Sequence, residues 1–363
     1  MSRLRASLLS LPLAVLAGFS PATAGAATSP IATVTSDTPI AIAATTVAWS
    51  AYDASSHRYR LMLRTGDAAP VKAAVAPQRR PFDVSGTFTS DNREVFLYSR
   101  CAETVPNPDG SLKREYRCDL YRYDVSTSRE RRMSEVSSRS ADEAWPVMDV
   151  RGRRGSGADR IAFVRRKTIW DHDAGMMVSC DRAYTTTLSR PSEVKPLASG
   201  GCGETVGMAL RQDPAGRYTL IQVTDLNLGG AGSIAQVLDV PLSGQPVRVL
   251  ARNGGGEAGY VGFTSPSITS TAVWVATTGG REGVRQGVVK ITGRGRAPTL
   301  KTFANTGVAG RFLRRDGGPS LLLRGTNGGI SEEIGREVSA SCTPATPCTL
   351  ESVSGSPAAA LAR

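Results

Sequence analysis

Short apolar runs recur along the chain, separated by polar, turn-forming residues. The runs are Val47-Ala48-Trp49, Val95-Phe96-Leu97-Tyr98, Ile161-Ala162-Phe163-Val164, Leu220-Ile221, Val273-Trp274-Val275-Ala276 and Leu321-Leu322-Leu323. With their neighbours they have strand length and are rich in β-branched and aromatic side chains, which predicts buried strands. They repeat loosely, at intervals of roughly 50 residues. A strand-like segment precedes each run, at 40–44, 82–88, 143–148, 205–210, 259–264 and 308–313. A third segment follows and often alternates. Tyr59, Leu61 and Leu63 fall on one face, with Arg60, Met62 and Arg64 on the other. Residues 119–124, 237–240 and 288–291 occupy the same place in later units. A fourth segment closes the units at 71–75, 131–133, 194–197, 247–250, 300–303 and 349–353. In the sixth unit the third strand is expected near 330–338.

The turns agree with this division. Residues 89–93, 211–217 and 314–318 each precede a central run and are rich in Asp, Asn or Gly. These residues suit tight reversals because they tolerate positive φ or bond their own backbone. No helical period is sustained beyond the N-terminal segment. Six four-stranded antiparallel sheets in series predict an all-β chain, a six-bladed β-propeller. A pair of β-sandwiches is the alternative, and it leaves the similar internal order of the units unexplained.

The turn-then-strand pattern resembles the repeats of TolB-like (WD40-like) propellers, whose units carry a Ser-Pro-Asp-Gly turn before a buried strand. Residues 89–96 and 211–221 are the best matches, and no unit keeps the whole motif. The resemblance covers residues 38–353 as architecture. It implies an exported bacterial propeller, in a group without an assigned activity. Residues 1–37 are expected to be too few for the α/β domain that precedes the propeller in TolB itself.

The N-terminus sets the expected compartment. Arg3 and Arg5 precede a short apolar run at 8–19, and Ala22-Thr23-Ala24 offers a small-x-small cleavage site. These are the parts of a secretory signal peptide, residues 1–24. The run contains Pro12 and is too short to cross a hydrocarbon core of about 30 Å. No later stretch is long and apolar enough to cross as a helix. Residues 25–37 are then either a linker or a strand completing the last sheet, and the Ala-rich tail 354–363 is expected to be disordered.

Cysteine usage fits export. Cys101, Cys118, Cys180, Cys202, Cys342 and Cys348 are even in number, which points to disulfides. Sequence neighbours are expected to pair, each bridge stapling one local loop. No Cys-x-x-Cys occurs, and the chain has 2 histidines, so zinc spacing is absent.

The formal net charge is +12, carried overwhelmingly by arginine. A basic surface attracts acidic polymers or lipid head groups without specificity. Arginine runs at 79–80, 129–132, 151–154, 165–167 and 314–315 lack interleaved aromatic platforms, so sequence-specific nucleic-acid binding is not expected.

Catalytic motifs are sparse. There is no Gly-x-Ser-x-Gly and no phosphate-binding Walker sequence. Gly230-Ala231-Gly232-Ser233-Ile234-Ala235 matches a dinucleotide fingerprint, but a strand ending at Pro241 follows where a helix is needed. No cofactor is implied. Asp171, His172 and Asp173 are the candidate metal ligands, in a pattern that a polar hairpin tip would also show. Asp83, Glu143, Glu204 and Glu257 lie in or near first segments, as does Asp142. First segments line the channel of a propeller, so these carboxylates are candidates for convergence there. Trp145 and Trp170 are candidates for a ligand mouth, whereas Trp49 and Trp274 belong to central runs and are expected in the core.

The expectation is an exported, non-catalytic, monomeric propeller that binds an envelope protein or acidic envelope polymer. A carbohydrate-active enzyme using channel carboxylates is the alternative, and a structural envelope protein is the second.

Overall fold

The computed structural model describes residues 27–354 except positions 37, 90, 92 and 214 and segments 103–117, 139–140, 150–159, 172–175, 188–189, 199–202, 228–232, 255–261, 279–286, 294–297, 305–307, 315–319, 326–328, 332–335 and 339–341. Six four-stranded antiparallel sheets follow one another around an axis. Blade 1 contains β2 (Ile40–Ala43), β3 (Thr46–Asp53), β4 (Arg58–Thr65) and β5 (Val71–Lys72). Blade 2 contains β6 (Ser85–Phe88), β7 (Glu94–Cys101), β8 (Cys118–Asp124) and β9 (Arg129–Arg132). Blade 3 contains β10 (Asp142–Asp149), β11 (Arg160–Asp171), β12 (Met176–Thr187) and β13 (Arg190–Pro196). Blade 4 contains β14 (Glu204–Gln212), β15 (Tyr218–Asn227), β16 (Ser233–Asp239) and β17 (Arg248–Gly254). Blade 5 contains β18 (Gly262–Ile268), β19 (Val273–Thr278), β20 (Gly287–Thr292) and β21 (Thr299–Ala304).

Blade 6 differs in one respect. Its inner strands are β22 (Val308–Leu313) and β23 (Ser320–Arg324), its third is β26 (Cys348–Val353), and its outermost is β1 (Thr28–Val34). The N-terminal strand therefore closes the ring, with Thr28 opposite Val353 and Val34 opposite Cys348. The expectation for the sixth unit is corrected here. Residues near 330–338 form a separate hairpin, β24 (Gly329–Ser331) and β25 (Arg336–Val338), and 349–353 belong to the third strand. A third strand must pair with β23, and the buried apolar residues such a strand needs are in β26: Cys348 and Leu350 pack toward blade 1 and Val353 toward blade 5.

The core is distributed between blades. Six apolar clusters each bridge two neighbours. Between blades 1 and 2, Ala48 and Leu61 pack on Phe82, Phe96 and Tyr98. Blades 6 and 1 meet through Leu323, Leu350, Ile42 and Trp49, so β1 and its Val34 belong to the seam that closes the ring. Trp274 stacks near Phe303 and Phe312 between blades 5 and 6. Central strands are buried on both faces, which is why they appear in the sequence as continuous apolar runs.

Close approach of inner strands needs small residues. A Cβ on Gly86 would lie 2.5 Å from the carbonyl carbon of Ile42 and 2.8 Å from Ala43 N, both backbone atoms. Disulfides join Cys101 to Cys118 and Cys342 to Cys348. Cys180 is also disulfide-bonded, and its expected partner Cys202 lies outside the described residues. Among the described residues no helix is long and apolar enough to cross a membrane.

Candidate functional site

The six inner strands enclose a cavity of about 180 Å³ on the axis. Every blade contributes, through residues such as Ile42, Val84, Trp145, Met208, Pro266 and Leu313. The lining is mostly aliphatic. Its charged members are Asp83, Arg311 and Arg314. Arg311 donates from Nε to the Thr38 carbonyl at 3.1 Å, and Arg314 donates to Ser320 Oγ at 2.8 Å. Arg314 belongs to the arginine run at 314–315, whereas Arg311 carried no signal of its own, although it lies inside the strand-like segment 308–313, where a charge is out of place unless it faces the axis.

The inner strands are irregular where they meet the cavity. Register shifts interrupt β10 between Ala144 and Val147, β14 between Thr205 and Gly207, and β18 between Thr264 and Ser267. Trp145 (φ 51°) and Ser265 (φ 46°) are left-handed, and each precedes a proline. Both conditions disfavour that backbone region, so each position stores strain of about 1–3 kcal/mol. The bulges aim Trp145 and Pro266 at the axis. Gly207 lies against Pro266, where an added Cβ would approach Cδ to 2.6 Å.

The carboxylates of the inner strands do other work. Asp83 is buried; its Oδ2 accepts from Ser99 Oγ at 2.8 Å and from the Trp145 N–H at 2.6 Å, and its Oδ1 accepts from the Ser99 N–H. Burial raises its pKa, against the pull of these donors. Asp142 accepts from the Cys118 N–H at 2.9 Å, and burial raises its pKa too. Glu143 is fully buried; Oε1 accepts from the Ser138 N–H at 2.7 Å and from Arg165 Nε at 3.2 Å, while Oε2 has no hydrogen-bond partner. Burial pushes Glu143 up to about 7, against the Arg165 charge.

Of the ligand-site candidates, Asp83 and Trp145 border the cavity. Glu204 begins β14, is half-exposed and pairs with Arg166 at 2.9 Å. Trp170 lies near the end of β11, opposite Met177 and 52% exposed. Glu257, His172 and Asp173 lie outside the described residues, and Asp171 is described only as the last residue of β11. Among the described residues no group of three or more His, Cys, Asp or Glu could hold a metal ion.

The same kind of contact recurs around the ring. Ser50 Oγ accepts from the Phe82 N–H at 2.8 Å, linking blade 1 to blade 2. Asp181 accepts from the Thr205 N–H at 2.6 Å, linking blade 3 to blade 4, and holds Arg166 in a two-pronged pair. Asp149 accepts from the Gln212 N–H between the same blades. Ser267 accepts from the Arg314 N–H at 3.0 Å, linking blade 5 to blade 6. These side chains capture backbone donors of the neighbouring blade, a structural task that consumes their acceptor capacity.

No family model matches the chain, and no curated protein matches its sequence. Solved structures do resemble it. TolB from Acinetobacter baumannii aligns over 85% of this chain and 64% of its own length, at 14% identity and a TM-score of 0.44. The chain thus spans slightly under two thirds of TolB. A protein of unknown function from Dyadobacter fermentans aligns over 90% of this chain and 98% of its own, at 11% identity and a TM-score of 0.49. The propeller domain of the Trilobed protease from Pyrococcus furiosus aligns over 89% and 96%, at 10% identity and a TM-score of 0.41. This chain is a six-bladed β-propeller, similar in fold to TolB and other propellers, and a likeness at these identities carries no ligand or activity with it.

Proposed function

We propose that the protein is an exported, non-catalytic propeller that binds a cell-envelope protein at its axial cavity. The observation that carries this reading is the chemistry of the inner strands. Asp83, Asp142 and Glu143 are three of the five carboxylates that a glycosidase-type site would draw on; a fourth, Glu204, pairs with Arg166. Each of the first three is buried and accepts from backbone or arginine donors, Glu143 through Oε1 alone. What remains at the axis is aliphatic surface with strained bulges, which suits recognition of an apolar side chain or short apolar segment. The rigid ring lets blade-end loops present further contacts at little ordering cost. Disulfide-bonded cysteines and the signal-peptide pattern support export.

Capture from an envelope extract with the mature, oxidised chain tests the reading. Washes at about 0.15 M and about 0.5 M salt separate exposed-charge attraction from a specific contact. A protein partner that survives the higher salt and is lost when Met208 is replaced by arginine supports axial binding. Loss of all material at the higher salt, together with turnover of an envelope polysaccharide, would overturn it in favour of the carbohydrate-active alternative.

A further inference from the structure

A second concavity, of about 360 Å³, lies between blades 1 and 2. It is lined by Arg58, Arg79, Arg80 and Arg100 together with Gln78 and Cys101, and by no carboxylate among the described residues. The strand order places it on one particular face. Chain connections from second to third strands, and from each blade to the next, emerge at the same end of the sheets. Arg58 begins β4, Arg100 lies near the end of β7, and residues 79–80 belong to the connection between blades.

The arginines come from rigid backbone. Tyr59 and Gln78 form an isolated antiparallel bridge, with N–H to O distances of 2.7 and 3.1 Å. The next opposed pair across that bridge is Arg58 and Arg79. Like charges directly opposite one another are destabilising. Gln78 is buried, and its Oε1 has no hydrogen-bond partner. Arg100 is held from the third side by Glu130 at 2.7 Å and by the Tyr121 ring, whose centroid lies 5.3 Å away. Cys101, at the rim, is tied to Cys118. Arg79 and Arg80 are exposed, and among the described residues neither is held in a salt bridge, although the Arg80 charge acts on Asp142. Arginines from three chain segments thus line one small space, and the exposed guanidinium groups of Arg79 and Arg80 can offer paired N–H donors to an oxyanion there.

We propose that this cleft binds a phosphate group carried on a soluble polyol or sugar phosphate. The proposal is independent of the axial reading. A phosphate matches the charge and the fork geometry of several arginines. Bilayer docking is disfavoured because the exposed large apolar side chains among the described residues, Val71, Trp170, Val249 and Leu300, do not line the cleft.

Calorimetric titration of the mature chain with glycerol 1-phosphate, at constant ionic strength, tests it. The R79Q/R80Q variant should lose at least tenfold in affinity, since each charge-assisted contact is worth about 1.5–3 kcal/mol. The charge-matched control R129Q/R217Q, at the other end of the blades, should stay within about twofold of wild type. A second readout separates a ligand site from a structural one. In anion-free, low-salt buffer R79Q/R80Q should melt at or above the wild-type temperature, and its melting temperature should no longer rise with glycerol 1-phosphate. Equal affinities for the two variants would overturn the proposal, as would equal binding of acetate and glycerol 1-phosphate. Vesicles of phosphatidylglycerol in phosphatidylcholine provide the last arm. Vesicle binding that glycerol 1-phosphate does not displace would overturn the choice of a soluble ligand. Partner capture at the axis should be unaffected by R79Q/R80Q, so either reading can fail without the other.

Discussion

Replacing Asp83 with alanine distinguishes a clamp from a ligand-binding carboxylate. Asp83 is 8% exposed and accepts from three donors on two blades: the Ser99 N–H, Ser99 Oγ and the Trp145 N–H. Alanine would leave two backbone N–H groups without an acceptor in a water-poor seam. An orphaned buried donor costs about 1–3 kcal/mol, so the direct loss is about 2–6 kcal/mol. The carboxylate itself is costly to bury, as its raised pKa indicates, and removing it offsets part of the loss. The expected net destabilisation is therefore about 2–4 kcal/mol. Asp83→Asn keeps one acceptor oxygen and should lose roughly half as much. Urea unfolding followed by tryptophan fluorescence measures this as a shift in midpoint at constant slope. A midpoint within about 0.5 kcal/mol of wild type, with partner capture abolished, would refute the clamp and make Asp83 a ligand residue.

Three further outcomes follow from the same geometry. Gly86→Ala forces a Cβ against the backbone of Ile42 and Ala43, so it should lower the urea midpoint by about 1–3 kcal/mol, whereas an unchanged midpoint would show that β2 and β6 can separate freely. Glu143 titrates near 7 in the fold and near 4.5 when unfolded, so the folded state holds more protons between those values. Its contribution therefore falls as pH rises through that window, and Glu143→Gln should flatten the melting temperature against pH there; a variant with the wild-type slope would assign the dependence to another group. Deleting residues 27–37 removes β1 and uncovers the edge of β26, so the shortened chain should melt lower and associate through that edge; sedimentation velocity showing a monomer with wild-type melting temperature would contradict closure by this strand.

Much of the ring was legible because central strands are buried on both faces. Runs such as Ile161-Ala162-Phe163-Val164 announce themselves without reference to the rest of the fold. The sixth blade was harder, because its outer strand comes from the opposite end of the chain and its third strand follows an inserted hairpin. Local periodicity cannot place a segment whose partner is hundreds of residues away. Residues 330–338 have the right position in sequence for a third strand, but their partners lie within their own hairpin. The site was legible only in part. Trp145 and Asp83 do border the axis, yet nothing in a single sequence distinguishes a carboxylate that faces solvent from one that caps a neighbouring N–H. The cleft at Arg58, Arg79, Arg80 and Arg100 was invisible as a unit because its members come from three segments, and only the Tyr59–Gln78 bridge brings the first two together.

The innermost strands carry the edge problem of every open sheet, since one side of each faces the axis with no strand to pair with. This chain meets it with two devices. Proline removes a donor at Pro146 and Pro266, and side-chain acceptors from neighbouring blades take up donors such as the N–H groups of Trp145, Thr205 and Gln212. Ser85 Oγ similarly donates to the Pro146 carbonyl. With those groups occupied, a ligand at the axis would gain little from adding a strand to the edge. Recognition there would rest on shape and apolar contact with Met148, Met208 and Ile268. Asp83, one of the carboxylates that first suggested catalysis, is on this argument part of what leaves the axial surface apolar enough to bind.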